Sequence, residues 1–275
     1  MKRQIAVIAC LAAGLMMGAC NRNDQQKEAQ PNPVSDEVLA QIKALGFGTS
    51  DVQKRNGGYL VEGDILLTAD QLNQKVGTPT LRIAKDEQYR TNNLVTALPR
   101  VVTIKVTDLG AAYIAGTDTA IARYNRLGLR LTFQRITSGD ATITIKGFSE
   151  GVRSDGFITL GYAGFPTDDG NPYDTITMNT HSRAYGANPD ILYVGSVIQH
   201  ELGHCIGMRH TDYMRRTYSC KGDPVRNEGD GGVGAVHIDG TPTRPDAESW
   251  MLACSNGGNR TFNANDIIAL NFLYQ

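Results

Sequence analysis

From residue 100 onward, apolar and polar positions recur with two different periods. Val102, Ile104 and Val106 alternate with Thr103, Lys105 and Thr107, the signature of a strand with one buried face. Ile114, Ile121 and Tyr124, within Gly110–Leu127, recur at helical spacing and predict a helix packed on that strand. Leu129, Leu131 and Phe133 predict a second strand, and Ala141, Ile143 and Ile145 a third. Gly156–Phe165 and Thr175–Asn179 predict a fourth and fifth, joined by a turn-rich stretch from Pro166 to Pro172. Ile191, Val194, Val197, Ile198 and Leu202 then supply the apolar face of a helix opened by Asn188 or Asp190. In a last helix, Asn263 and Asp266 are spaced for a capping box, and Ile267, Ile268, Leu270 and Leu273 dock it. A strand, a helix and then several strands predict an α+β fold, with a mixed twisted sheet and helices behind it.

Upstream the pattern is weaker. Ser35 can cap a helix carrying Val38, Ile42 and Leu45. Tyr59–Leu66 reads as extended with a Gly-Asp kink, and Thr68 caps a brief helix over Ala69–Leu72. Lys75–Ala97 shows no firm period. Before all this, Lys2 and Arg3 precede an apolar run, Ile5–Met17, too short to span a bilayer. It reads as an export signal over residues 1–20. Met17-Gly18-Ala19-Cys20 resembles a bacterial lipoprotein cleavage box, in which Cys20 becomes the lipidated first residue. Met17 stands where Leu is usual, so simple signal cleavage is the alternative. Residues 21–34 are polar and read as a flexible tether.

Composition changes this picture little. A net charge of −1 over 275 residues gives no argument for nucleic acid or an anionic surface. Of the five cysteines, Cys10 lies in the signal and Cys20 at its end. Cys205, Cys220 and Cys254 remain in a compartment that permits disulfides. Cys220 and Cys254 are the preferred pair and Cys205 reads as a buried small hydrophobe, although sequence leaves the pairing open.

The candidate chemistry sits in His200-Glu201-Leu202-Gly203-His204-Cys205-Ile206-Gly207-Met208-Arg209-His210. Residues four apart share a helix face, so His200 and His204 can point at one metal ion. Neutral imidazoles suit zinc. Glu201 is placed to take a proton from water rather than to bind metal. Gly207 can adopt a positive φ, end the helix and turn His210 back as a third ligand, leaving one position open. Asp168-Asp169-Gly170-Asn171 could hold calcium, but a polar turn is the preferred reading. His181 and His237 are isolated and read as surface or satisfied histidines.

The eleven-residue string resembles the signature of the metzincin zinc peptidases. His210-Thr211-Asp212 makes it most similar to the bacterial dual-action HEIGH-type metallopeptidases. The resemblance implies a methionine turn beneath the metal, and Ser249-Trp250-Met251-Leu252-Ala253 supplies it at Met251. Matrixin-like features continue from Phe262 to the end of the chain. Leu160, Gly161, Tyr162 and Ala163 resemble the sheet-edge strand that holds substrate in such enzymes, with glycine leaving room for another backbone, against the alternative of an ordinary interior strand. The region before the methionine turn would wall the specificity pocket.

The resemblance thus implies a catalytic domain over 99–275, one catalytic Zn2+, a peptide or protein substrate, no nucleic acid, and a monomer. Residues 35–98 read as a propeptide or as an extension packed permanently on the enzyme. Val61-Glu62-Gly63-Asp64 resembles the astacin propeptide motif whose aspartate fills the open zinc position, with Val61 in place of Phe. Asp64 is therefore a candidate latency switch, against the reading of a plain strand-end turn. The expected function is a zinc-dependent endopeptidase acting on extracytoplasmic proteins, with Glu201 as general base. It is expected as a cell-envelope lipoprotein or a secreted form after processing, with any membrane contact through Cys20. Two alternatives stand: a surface lipoprotein that keeps the zinc site without turnover, and a zinc hydrolase of a non-peptide amide.

Overall fold

The computed structural model describes residues 34–73, 88–222, 228, 234–242 and 244–275. The export signal, the tether and Cys20 lie outside the described residues. The first elements are α1 (Asp36–Ala44), β1 (Gln53–Arg55), β2 (Gly58–Val61), β3 (Ile65–Thr68), α2 (Ala69–Leu72) and β4 (Tyr89–Arg90). Then come β5 (Arg100–Val106), α3 (Ala111–Asn125), β6 (Leu131–Arg135), β7 (Ile143–Phe148), β8 (Gly161–Ala163) and β9 (Thr175–Asn179). The rest comprises α4 (Ser182–Tyr185), α5 (Ile191–Cys205), β10 (Met208–Arg209), a 3-10 stretch (Tyr213–Tyr218), β11 (Val236–His237) and α6 (Ala264–Tyr274).

An eight-stranded mixed sheet has the order β1-β2-β3-β8-β9-β7-β5-β6. Its right half follows from the period-two pattern: Val102, Ile104, Leu131, Phe133, Ile143 and Ile145 are all buried beneath the helices. β5 pairs in parallel with β6 and β7, and β7 in parallel with β9. β8 runs antiparallel to β9. α3 and α5 cross at two glycines. A Cβ on Gly116 would lie 3.0 Å from the backbone nitrogen of Gly195, so only hydrogen at both positions permits this approach. That approach lays α5 against the sheet.

The capping signals act as their residue types require. Ser35, Thr68, Asp190 and Asn263 each accept a backbone N–H at a helix start, and Asn263 with Asp266 completes a capping box.

Ile191 and Ile268, expected on the packed faces of α5 and α6, are exposed, the first at the helix start and the second on the outer side of the last helix. Two expectations for the sheet also differ from the structure. First, the fourth strand is only Gly161–Ala163 rather than Gly156–Phe165. Second, the stretch Leu160, Gly161, Tyr162 and Ala163 does not form a free sheet edge. β3 pairs in parallel with β8 at Ile65 and Ala163, so the chain's own N-terminal hairpin takes its Ala163 end, while Leu160 and Gly161 line a cleft. Burial explains why that hairpin stays: Ile42, Leu45, Phe47, Val61, Ile65, Leu67 and Leu72 close a second core with Phe165. Each such side chain contributes about 1.5–3 kcal/mol. β4, which shows no period because it is two residues long, pairs with both β10 and β11. The residues just before position 99 are thus stitched to the turn that follows α5.

Candidate metal centre and active site

The site is built at the C-terminal end of α5. Asp190 caps the helix by accepting the N–H of Tyr193 at 2.8 Å. From Val197 to Cys205 every residue of α5 is buried, which is where the motif lies. The helix ends at Gly207, whose φ of +102° is the left-handed backbone the turn requires. A side chain there would also meet Leu94 and the carbonyl of Asn93 at under 3 Å. Thr91 donates its backbone N–H to the Gly207 carbonyl at 2.8 Å, fixing the turn from outside. The chain then returns through β10 and delivers His210.

His200, His204 and His210 converge, with ring centroids 4.7–5.3 Å apart. Each Nδ1 is engaged on the side away from the cluster. His200 Nδ1 meets the Trp250 carbonyl and His204 Nδ1 the Met208 carbonyl, both at 2.9 Å. His210 Nδ1 meets Glu228 Oε1 at 2.7 Å. These contacts assign Nδ1–H in each ring and leave Nε2 of His200 and His204 as acceptors facing inward; His210 Nε2 also faces inward but meets a carboxylate, to which it donates. Among the described residues His200 Nε2 and His204 Nε2 are buried without a hydrogen-bond partner. Buried acceptors aimed at one point fit a divalent ion.

Asp64 comes from the turn between β2 and β3. Its Oδ2 lies 3.0 Å from His210 Nε2 and 3.6 Å from His200 Nε2. Atoms of Asp64 and the three histidines all fall within 4.8 Å of one another, so this carboxylate stands where a fourth ligand to a shared ion would. Asp64 also holds β8, since its carbonyl accepts the N–H of Ala163 at 3.0 Å. The Glu201 carboxyl lies beside the cluster, with Oε2 buried and unbonded among the described residues.

The methionine turn passes beneath. Met251 is fully buried, and a Cβ on Gly203 would fall 2.6 Å from its sulfur. Thr211 donates its N–H to the Met251 carbonyl at 2.9 Å, tying the turn to the stretch after His210. Cys220 and Cys254 are joined by a disulfide, and Cys205 is free and buried. A cleft of about 490 Å³ runs along this assembly, lined by Asp64, Leu160, Gly161, His200, Glu201 and Leu252 among others.

A family model described as dual-action HEIGH metallo-peptidase matches residues 59–274. The chain belongs to this family of metallopeptidases. No curated protein matches it. Two solved structures of myroilysin are similar to it, each at 14% identity. One covers 68% of this chain and 98% of its own, with a TM-score of 0.45; the other covers 71% and 93%, with a TM-score of 0.41. In this peptidase the HEIGH string reads His-Glu-Leu-Gly-His. The family match begins at Tyr59 and so takes in β3 and Asp64.

The electrostatics of the site follow from its burial. Burial pushes the Asp64 carboxyl up, but His210, which hydrogen-bonds it, and the nearby His200 hold it well below its ordinary value. Burial pushes His210 down, yet Asp64 and Glu228 outweigh it and raise the imidazole. His204 stays well below its ordinary value through burial and its two histidine neighbours. Burial and then Asp64 raise Glu201.

Several contributors leave little or no mark in the sequence. Glu228 sits in a glycine-rich stretch that offers no period; its only signal is a lone carboxylate downstream of the third histidine. Trp250 acts through its carbonyl, which no side-chain pattern reveals. Asp212 anchors the loop: it accepts the Ala253 N–H at 2.9 Å and the Ser219 hydroxyl at 2.6 Å. The Asp168–Asn171 stretch is a turn in which Asn93 donates to Asp168 and Gly170 N–H donates to the Thr167 carbonyl. His181 Nδ1 accepts the Arg183 N–H, and His237 Nε2 lies 3.0 Å from the Thr241 hydroxyl.

Proposed function

We propose that this metallopeptidase is a zinc-dependent endopeptidase of extracytoplasmic proteins, held latent by its own Asp64. The observation that supports it is the convergence of three inward-facing Nε2 atoms beside Glu201, whose Oε2 is buried and unbonded among the described residues. His200, His204 and His210 would hold the ion. Zinc in that place lowers the pKa of a water toward about 7 and polarises a scissile carbonyl. Glu201 accepts the proton as water attacks and passes it to the leaving amine. Its raised carboxyl suits that two-way transfer. Met251 and the Trp250 carbonyl hold the base of the site and the orientation of His200.

In the latent form Asp64 occupies the position an incoming carbonyl would need. A carboxylate oxygen is an acceptable zinc ligand, and the buried hairpin β2–β3 keeps it in reach. When β3 is displaced, β8 becomes the edge that pairs with an extended peptide. The export segment and Cys20 support a location in the cell envelope or, after processing, outside it.

The test is Glu201→Gln in chain activated by removal of the N-terminal segment. Zinc should remain at one equivalent, while cleavage of casein should fall by about 10²–10⁴-fold. Zinc bound by the native chain with no peptide cleavage at all would instead favour a binding lipoprotein. Turnover by Glu201→Gln at a comparable rate would remove Glu201 from the role of base.

A further inference from the structure

Two of the three histidines are oriented by backbone carbonyls, and the third by a carboxylate. His210 and Glu228 are both fully buried, with Nδ1 and Oε1 2.7 Å apart. Glu228 is itself held from several sides. Its N–H donates to the Tyr213 carbonyl at 2.8 Å. Arg216 Nη1 donates to Oε1 at 2.7 Å, and Arg209 Nη2 lies 3.5 Å from Oε2. Arg209 is fixed in turn by the Gly234 carbonyl at 3.1 Å and by the Phe47 ring, 4.8 Å from its guanidinium. His210, Glu228 and Arg209 are fully buried, and Arg216 nearly so, at the wall of the cleft.

Glu62, His210 and Glu228 also cluster closely enough to hold a second cation. Arg209 and Arg216 already bring two positive charges to the same acids, which disfavours one. The cluster is better explained as support for a ligand. A carboxylate accepting Nδ1–H fixes the tautomer and ring plane, and it raises the basicity of Nε2 more than a carbonyl can.

Resting on the zinc reading above, we infer that Glu228 is a positioning residue for the metal: it orients His210 and strengthens it as a ligand, with Arg216 and Arg209 holding the carboxylate in place. Arg216 has a second duty. Its Nη2 donates to the carbonyl of Glu62, two residues before Asp64. One guanidinium therefore grips both the group that orients the third ligand and the segment that fills the fourth position.

The experiment uses the full chain and compares native protein with Glu228→Gln and Glu228→Ala. Zinc affinity is measured by competition with a chromophoric chelator, and folding of the metal-free forms by urea midpoint in EDTA. Glutamine keeps an acceptor oxygen and the shape but not the charge, so it reports on the carboxylate even where alanine fails to fold. The expected result is zinc binding about 10–100-fold weaker in the alanine variant and an intermediate loss in the glutamine variant. In cobalt-loaded protein the visible absorption bands should shift, because the field at His210 changes. Glutamine affinity within about twofold of native, with unchanged cobalt bands, would overturn the role of Glu228. Native protein that binds no zinc would instead overturn the zinc reading itself, so the two failures are distinguishable.

Discussion

At the scale of single residues, the site is made by groups whose surroundings change what they ordinarily do. Gly161 shows this on the substrate side. Its expected use was to admit another backbone, but a Cβ there would lie 3.1 Å from Glu201 Oε1. The missing side chain makes room for Glu201. Asp266 shows it beneath the methionine turn, where it accepts N–H groups of Trp250 and Asn263 and the Ser249 hydroxyl. Burial outweighs these bonds and pushes its carboxyl up to about 6 from 3.8. Between those two values the folded chain keeps a proton that the unfolded chain has lost. The Asp266 contribution to stability should therefore fall as pH rises through that window, by about 3 kcal/mol, and is read as the difference between native protein and Asp266→Asn. Urea midpoints of metal-free protein from about pH 3.5 to 7 should show this slope, and Asp266→Asn should lack it. Parallel profiles for the two proteins would refute the assignment.

Among elements, the decisive contact is the crossing of α3 and α5. Helix propensity alone says that alanine at Gly195 should stabilise α5 by about 1 kcal/mol. The tertiary structure says the opposite, since the new Cβ would meet the Gly116 carbonyl at 3.0 Å and Thr119 at 3.3 Å. Backbone cannot step aside as a side chain can. Gly195→Ala should destabilise by about 1–3 kcal/mol, read as a lower urea midpoint at unchanged slope. A higher midpoint would mean that the helices are free to separate. The same crossing sets the depth at which His200 and His204 sit, so zinc content should be followed in the same variant.

For the molecule as a whole, the N-terminal segment has a structural role of its own beside the latency proposed for it. Asp64 contributes a carboxylate, but β3 contributes a sheet partner and the apolar side chains from Ile42 to Leu72 contribute a core. Asp64→Ala should therefore free the metal while leaving the hairpin docked across β8. Uncut Asp64→Ala should hydrolyse a short chromogenic peptide at least about tenfold faster than uncut native chain, each 1.4 kcal/mol of lost occupancy being tenfold. Its gain on a folded protein substrate should be much smaller. Equal activity of the two uncut chains toward the short peptide would show that Asp64 does not gate the site.

Much of this architecture is legible in the order of residues alone. Period-two and helical patterns mark β5, β6, β7, β9, α3, α5 and α6, because one-sided burial imposes those periods wherever an element is long enough. The spacing of His200, Glu201, His204, Gly207 and His210 is local, held within one helix and one turn, and so is visible too. What only the tertiary structure decides comes from pairings distant along the chain. β8 loses its free edge to β3, about a hundred residues earlier. Glu228 reaches His210 through a loop without periodicity, and Trp250 reaches His200 through a carbonyl that every residue possesses. Such contacts are chosen by three-dimensional closure of the core and by the need to satisfy buried polar groups, and neither leaves a period in the sequence.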